Sequence, residues 1–329
     1  MYLKAIRPFF ILIVLLTGGL GVIQAQKPNP SPTPDDQTTI SVRINRVRLP
    51  ITVVDKKGFL ISGLTKADFQ VLEDKVPQTI ETFSDEVGKE LPLNIGVLMD
   101  TSPSTAGKLK FEQEAAMNFI QTVVRPRKDR IFFATFDDEI NLRQDFTDRL
   151  DLLDRAVSGV KKVGKQTALY DAVWQFCDEK MRSVSGRRVL VIITDGEDTF
   201  SRADLRDAIE IAQRTETTVY AISTKAGFTA TVPGVEMGTI KDDKDRDLVK
   251  LAEETGGAAF FTGDMTTLER SFTKIERELR AQYLVTYRPT NDLYDGSYRR
   301  IDVKLGNARS DLKVRTKRGY KAIVDQVKP

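Results

Sequence analysis

The sequence predicts an α/β fold: a doubly wound, mainly parallel sheet with a small N-terminal β module and a C-terminal β extension. Three observations carry that expectation. Residues 93–99 and 189–194 are unbroken apolar runs of strand length, each followed at once by an aspartate, Asp100 and Asp195. Between residues 93 and 279 such runs alternate with stretches of helical periodicity, the order that a parallel sheet covered on both faces requires. Towards both ends, apolar residues fall at every second position instead, as in strands with one face in solvent.

The elements follow in order. Lys4 and Arg7 precede an apolar stretch from Phe9 to about Ile23, and Ala25 offers a small residue for cleavage. Residues 1–25 therefore describe a secretory signal peptide, which implies a periplasmic or secreted protein. The competing reading is an uncleaved membrane anchor, for which the run is short against the roughly 20 residues of a span. Four prolines between Lys27 and Asp36 make residues 26–38 a stiff spacer. The β module occupies 39–88, where Ile40, Val42, Ile44, Val47, Leu49, Ile51 and Val53 alternate, Lys57-Gly58 supplies a turn, and 72–83 continues as strand. It is too small to count on independent stability.

The central domain spans 91–281, with helices expected at 108–124, 150–157, 168–181, 203–214, 247–254 and 267–279. Besides 93–99 and 189–194, strands are expected at 131–136, 140–146, 219–223 and 258–261. The extension, 282–322, carries strands at 283–287, 298–305 and 312–314, with Asp295-Gly296 as a hairpin turn signal.

Composition excludes several functions. The 50 basic and 47 acidic residues of the 329 leave a net charge of +3, too even to argue for nucleic acid. Residues 270–329 hold 15 Lys/Arg against 7 Asp/Glu, so that stretch carries +8 and the remainder −5; solvated strand faces account for it. There is no histidine, which removes Ser–His–Asp and Cys–His hydrolases and imidazole-held zinc. Cys177 is the only cysteine, so no internal disulfide can form and no lipid-bearing cysteine follows the leader. Its apolar helical surroundings make it a small buried hydrophobe.

The chemistry gathers at the strand ends. Asp100, Ser102 and Ser104 form D-x-S-x-S directly after an apolar strand, Thr167 opens a helix, and Asp195-Gly196 ends the second such strand. Two carboxylates and three hydroxyls form an all-oxygen set for a hard cation, Mg2+ first, with Mn2+ or Ca2+ as alternatives. In open parallel sheets ligands bind beyond the carboxyl ends of the strands, where these residues are expected to face solvent. Taken singly, each could be a helix cap instead. Two other patterns fail. Residues 159–165 match the opening of a phosphate-binding loop, but Gln166 stands where Mg2+ needs a hydroxyl and a helix precedes them. Asp243, Asp245, Asp247 and Glu254 imitate a calcium loop, but Leu248 stands at the obligatory glycine, so they read as an acidic helix start.

The ordered set Asp100, Ser102, Ser104, Thr167 and Asp195 resembles the metal-ion-dependent adhesion site of von Willebrand factor A (vWA) domains. Residues 164–172 (GKQTALYDA), 193–198 (ITDGED) and 251–257 (LAEETGG) agree. The flanks resemble a narrower group, the VWFA-related Acidobacterial domain family, through 64–78 (LTKADFQVLEDKVPQ), 282–289 (QYLVTYRP) and Arg318-Gly319-Tyr320. The likeness spans about residues 42–321 and implies a Rossmann-like vWA fold. It departs at Pro103 and Thr105, where the family commonly has glycine and methionine. The resemblance further implies metal-dependent binding of a protein ligand that supplies an Asp or Glu carboxylate to the metal, with no catalysis. Two other readings compete: a scaffold with a structural or vestigial metal site, and a magnesium-assisted hydrolase, for which no separate base, nucleophile or oxyanion donors are visible.

Overall fold

The computed structural model describes residues 46–85, 92–195, 197–224, 235–237, 243–261, 265–306 and 311–323. The expected signal peptide, the spacer and the alternation up to Ile44 lie outside the described residues. So does Gly196.

The central sheet has seven strands: β5 (Leu93–Asp100), β6 (Arg130–Phe136), β7 (Ile140–Thr147), β8 (Arg187–Thr194), β9 (Thr217–Ser223), β10 (Val235–Met237) and β11 (Ala259–Phe261). Their order is β10-β11-β9-β8-β5-β6-β7, with every neighbouring pair parallel except β6 and β7. All eight residues of β5 are buried because helices cover both faces. On one face α1 (Leu109–Val123), α2 (Leu150–Ser158) and α6 (Met265–Arg280) pack Phe119, Leu153 and Phe272 onto Ile95, Val97 and Val191. On the other, α3 (Leu169–Phe176), α4 (Leu205–Arg214) and α5 (Asp243–Glu254) pack Phe176, Ala212 and Leu248 onto Leu98, Leu190 and Ile192. Strict alternation along the strands thus feeds two separate cores, as a doubly wound sheet demands.

The remaining strands are β1 (Val47–Val54), β2 (Phe69–Glu73), β3 (Val76–Gln78), β4 (Ile80–Asp85), β12 (Tyr283–Tyr287), β13 (Tyr298–Leu305), β14 (Lys313–Arg315) and β15 (Gly319–Lys321). They form two four-stranded antiparallel sheets, β14-β1-β12-β4 and β15-β13-β2-β3. Each sheet mixes strands from the two ends of the chain. One apolar core serves both, with Leu49, Ile51, Phe69 and Val71 meeting Tyr283, Val285, Tyr287 and Ile301. That sharing explains why the first module, read alone, is too small to close a core.

Several local expectations are corrected. Residues 72–83 are not one continuous strand: Asp74 and Lys75 both take positive φ, 47° and 69°, and turn β2 back onto β3. The Asp74 carboxylate repays this by accepting the Arg300 N–H at 2.9 Å. Asp295-Gly296 does turn the chain, with Gly296 at φ +76°, but β12 and β13 belong to different sheets and make no hairpin. The helix expected at 168–181 runs as α to Phe176 and continues as a π-helical turn over Cys177–Met181. Cys177 is fully buried there. Strands β10 and β15, too short for a periodic signal, were not anticipated.

Candidate metal centre

β5 and β8 are adjacent and parallel, paired through Met99 with Ile193, so their carboxyl ends deliver Asp100 and Asp195 to the same edge of the sheet. The chain after Asp100 turns at once. The Asp100 carboxylate accepts the Ser102 N–H at 2.8 Å and the Thr194 hydroxyl at 2.6 Å, locking its rotamer against both strands. Thr105 closes the loop by donating to the Ser102 carbonyl at 2.8 Å. The Ser102 and Ser104 hydroxyls lie 3.0 Å apart, as two ligands for one point would.

Thr167 comes from a third segment, which the backbone stitches to the first. Gly164 N–H donates to the Thr101 carbonyl at 2.7 Å, and the Thr101 hydroxyl donates to Asp137 at 2.6 Å. A Cβ on Gly164 would stand 2.3 Å from Asp137, so this approach requires glycine. Thr199 in turn joins Thr167 to the loop after β8, its N–H donating to the Thr167 carbonyl and its hydroxyl accepting the Thr167 N–H at 3.0 Å. The structure therefore joins Asp100, Ser102 and Ser104 closely. Among the described residues no hydrogen bond links Thr167 or Asp195 to that trio.

The expectation that these groups face solvent is corrected. Asp100 and Ser102 are fully buried, and Thr167 and Asp195 nearly so; Ser104 alone is exposed. The strand ends are roofed by the loops they anchor. Burial raises the Asp100 carboxyl to about 6, against the hydrogen bonds from Thr194 and Ser102, and the Asp195 charge pushes the same way. One oxygen of Asp195, Oδ1, is buried without a hydrogen-bond partner.

A further acid stands close by. Glu112 lies on the core-facing side of α1, fully buried, its Oε1 accepting the Thr224 hydroxyl at 2.9 Å while Oε2 has no partner. Burial raises its carboxyl to about 9, and the charges of Asp100 and Asp195 add to that. The sequence held a signal for it, because Glu112 falls three, four and seven residues before Ala115, Ala116 and Phe119 on the apolar stripe.

Among the described residues no three His, Cys, Asp or Glu side chains are grouped to hold a metal ion. Any cation here must therefore use the hydroxyls, which suits a hard ion. The chemistry fits on that ground: an orphaned buried oxygen on Asp195, a second buried carboxylate on Asp100 that feels its charge, and the paired Ser102 and Ser104 hydroxyls in the loop after Asp100.

Compared with known families, residues 94–274, more than half of the chain, match the von Willebrand factor type A domain. The chain belongs to the von Willebrand factor type A family. Its vWA domain is similar in fold to an aerotolerance-related membrane protein from Bacteroides fragilis, at 14% identity and a TM-score of 0.44, covering 57% of this chain and 98% of that one. BatB from Bacteroides thetaiotaomicron gives 13% identity and a TM-score of 0.40, covering 57% and 99%. Proximal thread matrix protein 1 from the mussel byssus, in a structure with a zinc-occupied MIDAS motif, gives 15% and 0.45, covering 63% of this chain and 49% of that one. A search of curated proteins finds no match.

Within the vWA domain both rejected patterns are ordinary structure. Gly159 ends α2, and the loop after it is tied to Asp138 through the Lys165 N–H. Asp245 is buried within α5, which runs through the acidic stretch rather than looping around an ion. Among the described residues no helix is long and apolar enough to cross a membrane.

Proposed function

We propose that this chain is an extracytoplasmic, non-enzymatic protein-binding module whose vWA domain engages its partner through a divalent cation, Mg2+ in the first place. Asp100, Ser102, Ser104, Thr167 and Asp195 would hold the ion. The single observation that carries this reading is the burial of Asp100 and Asp195 with no cationic side chain at ion-pair distance among the described residues, and with Asp195 Oδ1 unsatisfied. Buried acids normally meet an arginine, a lysine or a metal. Bound metal supplies a positive charge that a ligand from outside can complete.

The partner's contribution follows from charge. Two acids only neutralise a divalent ion, so an Asp or Glu carboxylate from a protein ligand still gains attraction at close range, and the hydroxyl ligands do not oppose it. Ser104, the exposed member of the set, stands on the open side where that carboxylate would arrive. Secretion rests on the leader at residues 1–25 and is tested by N-terminal sequencing of the exported protein, with a start near Gln26 expected. Calorimetric titration of Mg2+ or Mn2+, followed by pull-down from the native envelope with and without chelator, tests the binding role. Replacing the partner's acid by its amide should cost as much binding as chelation, and the two losses should not add. Binding that survives chelation would place the partner elsewhere.

A further inference from the structure

At the opposite end of the parallel sheet, a cavity of about 160 Å3 opens between the turn joining α4 to β9 and the strands β1 and β15. Its wall brings together Arg46, Arg214, Lys317 and Lys321 against one acid, Glu216. Most of these charges have answers outside the cavity. Arg46 pairs with Glu81 at 2.9 Å, Lys321 with Glu210 at 3.2 Å, and Glu216 is engaged by Arg48 at 3.7 Å.

Lys317 has none. Its side chain is only 7% exposed, and among the described residues its amine makes no hydrogen bond and no ion pair. The Tyr320 ring lies beneath it, with the nitrogen 5.7 Å from the centroid. The Tyr320 hydroxyl donates to Glu73 at 3.0 Å, so the ring is fixed and turns a face, not an acceptor, to the amine. Burial holds the amine below its ordinary range; Glu216 and Glu73 act against this and Arg48 with it. A buried ammonium is strongly disfavoured unless an anion meets it. Every lysine buried this way must either lose its proton or find a counter-charge, and the cations around this one would repel anything but an anion.

We propose that this cavity binds a small oxyanion of the phosphate or sulfate class, with Lys317 as its buried counter-charge and the Arg46 and Arg214 guanidinium groups as donors at the rim. Guanidinium forks match such oxygens with paired hydrogen bonds. The volume admits the class: it is several times the roughly 30 Å3 share of one water, enough for a tetrahedral oxyanion.

The test uses the full exported chain in chelator, so that the metal centre is silent, and titrates inorganic phosphate and sulfate by calorimetry at fixed ionic strength against chloride. Saturable binding is expected, weakened at least tenfold in Lys317→Met and in Arg46→Gln and unchanged in Asp100→Asn. Methionine keeps the length of the buried stem; should that variant not fold, the Arg46→Gln arm carries the same comparison. A phenyl phosphate arm separates a free ion from a group on a larger molecule, the latter binding the ester more tightly than inorganic phosphate. No saturable binding beyond chloride, or equal binding in both variants, overturns the proposal.

Discussion

Asp129 and Asp100 stand at opposite ends of neighbouring strands, both fully buried, and their surroundings differ in sign. Asp129, just before β6, accepts Arg280 at 2.6 Å and the N–H groups of Leu93 and Arg125 at 3.0 Å each. Burial opposes its charge, yet these partners outweigh it and hold the carboxyl below the usual range. Nearby, Glu278 is met by Arg315 at 2.6 Å. At the other end, among the described residues, Asp100 accepts a hydroxyl and an N–H, Glu112 accepts a hydroxyl and feels only the charge of Lys108 in its favour, and Asp195 Oδ1 has no partner; the carboxyls of Asp100 and Glu112 are raised. One end is electrically finished by the chain itself. The other holds buried acids that no cationic side chain meets at ion-pair distance among the described residues, and on that difference the proposed metal site rests.

The sharpest way to break this contrast is to remove an answer where one exists. Arg280→Met should cost about 3–5 kcal/mol, because it strands a buried carboxylate; urea denaturation measures it, and a loss under 1 kcal/mol would make Asp129 no different from Asp100. Next comes supplying an answer where none exists. Mg2+ at 100 times its dissociation constant should stabilise the wild type by about 2.7 kcal/mol, seen as a chelator-reversible rise in Tm. Asp100→Asn should abolish that rise, while Arg280→Met should leave it intact.

The two ends should also titrate oppositely. The folded Glu112 carboxyl lies at about 9 against an ordinary 4.5, and Asp100 at about 6 against 3.8. In those windows the folded chain holds protons that the unfolded chain has released, so metal-free stability falls as pH rises. At about 1.4 kcal/mol per unit, Glu112 alone gives a decline of about 2 kcal/mol between pH 6 and 7.5. Glu112→Gln should flatten that decline in chelator-treated protein; an unchanged slope would reject the raised carboxyl. Asp129, held low, contributes stability that is present above its ordinary value near 3.8 and lost as pH falls through its folded one. The smallest expected effect is Thr199→Ala, about 1 kcal/mol for the lost bond to Thr167 N–H, with weaker Mg2+ binding in the same titration.

The sequence showed the parallel sheet clearly because buried strands such as 189–194 and the helices between them are long and strictly patterned. It could not show how the outer strands of the two ends pair, since β1 meets β12 and β2 meets β13 across more than 200 residues and pattern alone carries no register. The five site residues were named from spacing at strand ends, and three of them meet directly. Their burial was missed because it comes from loops folding over the strand ends through backbone contacts such as Gly164 to Thr101, which have no periodic trace. Glu112 was passed over because a single acid on an apolar stripe looks like any helix charge until the opposing residues are known.

The interleaving of strands from both ends also orders events in time. A chain emerging N-terminus first can finish its parallel sheet before β12 exists, because β5 to β11 need only one another. β1 and β4 must wait, since the strand that lies between them, β12, comes almost 200 residues after β4. Their unpaired edges and the apolar row Leu49, Ile51 and Val53 stay open to misassociation meanwhile. Closure over so long a span is slow relative to the local helices and neighbouring strands of the centre. In refolding, the central domain should therefore gain amide protection first, and the period before β12 docks is when the chain most needs a chaperone's cover.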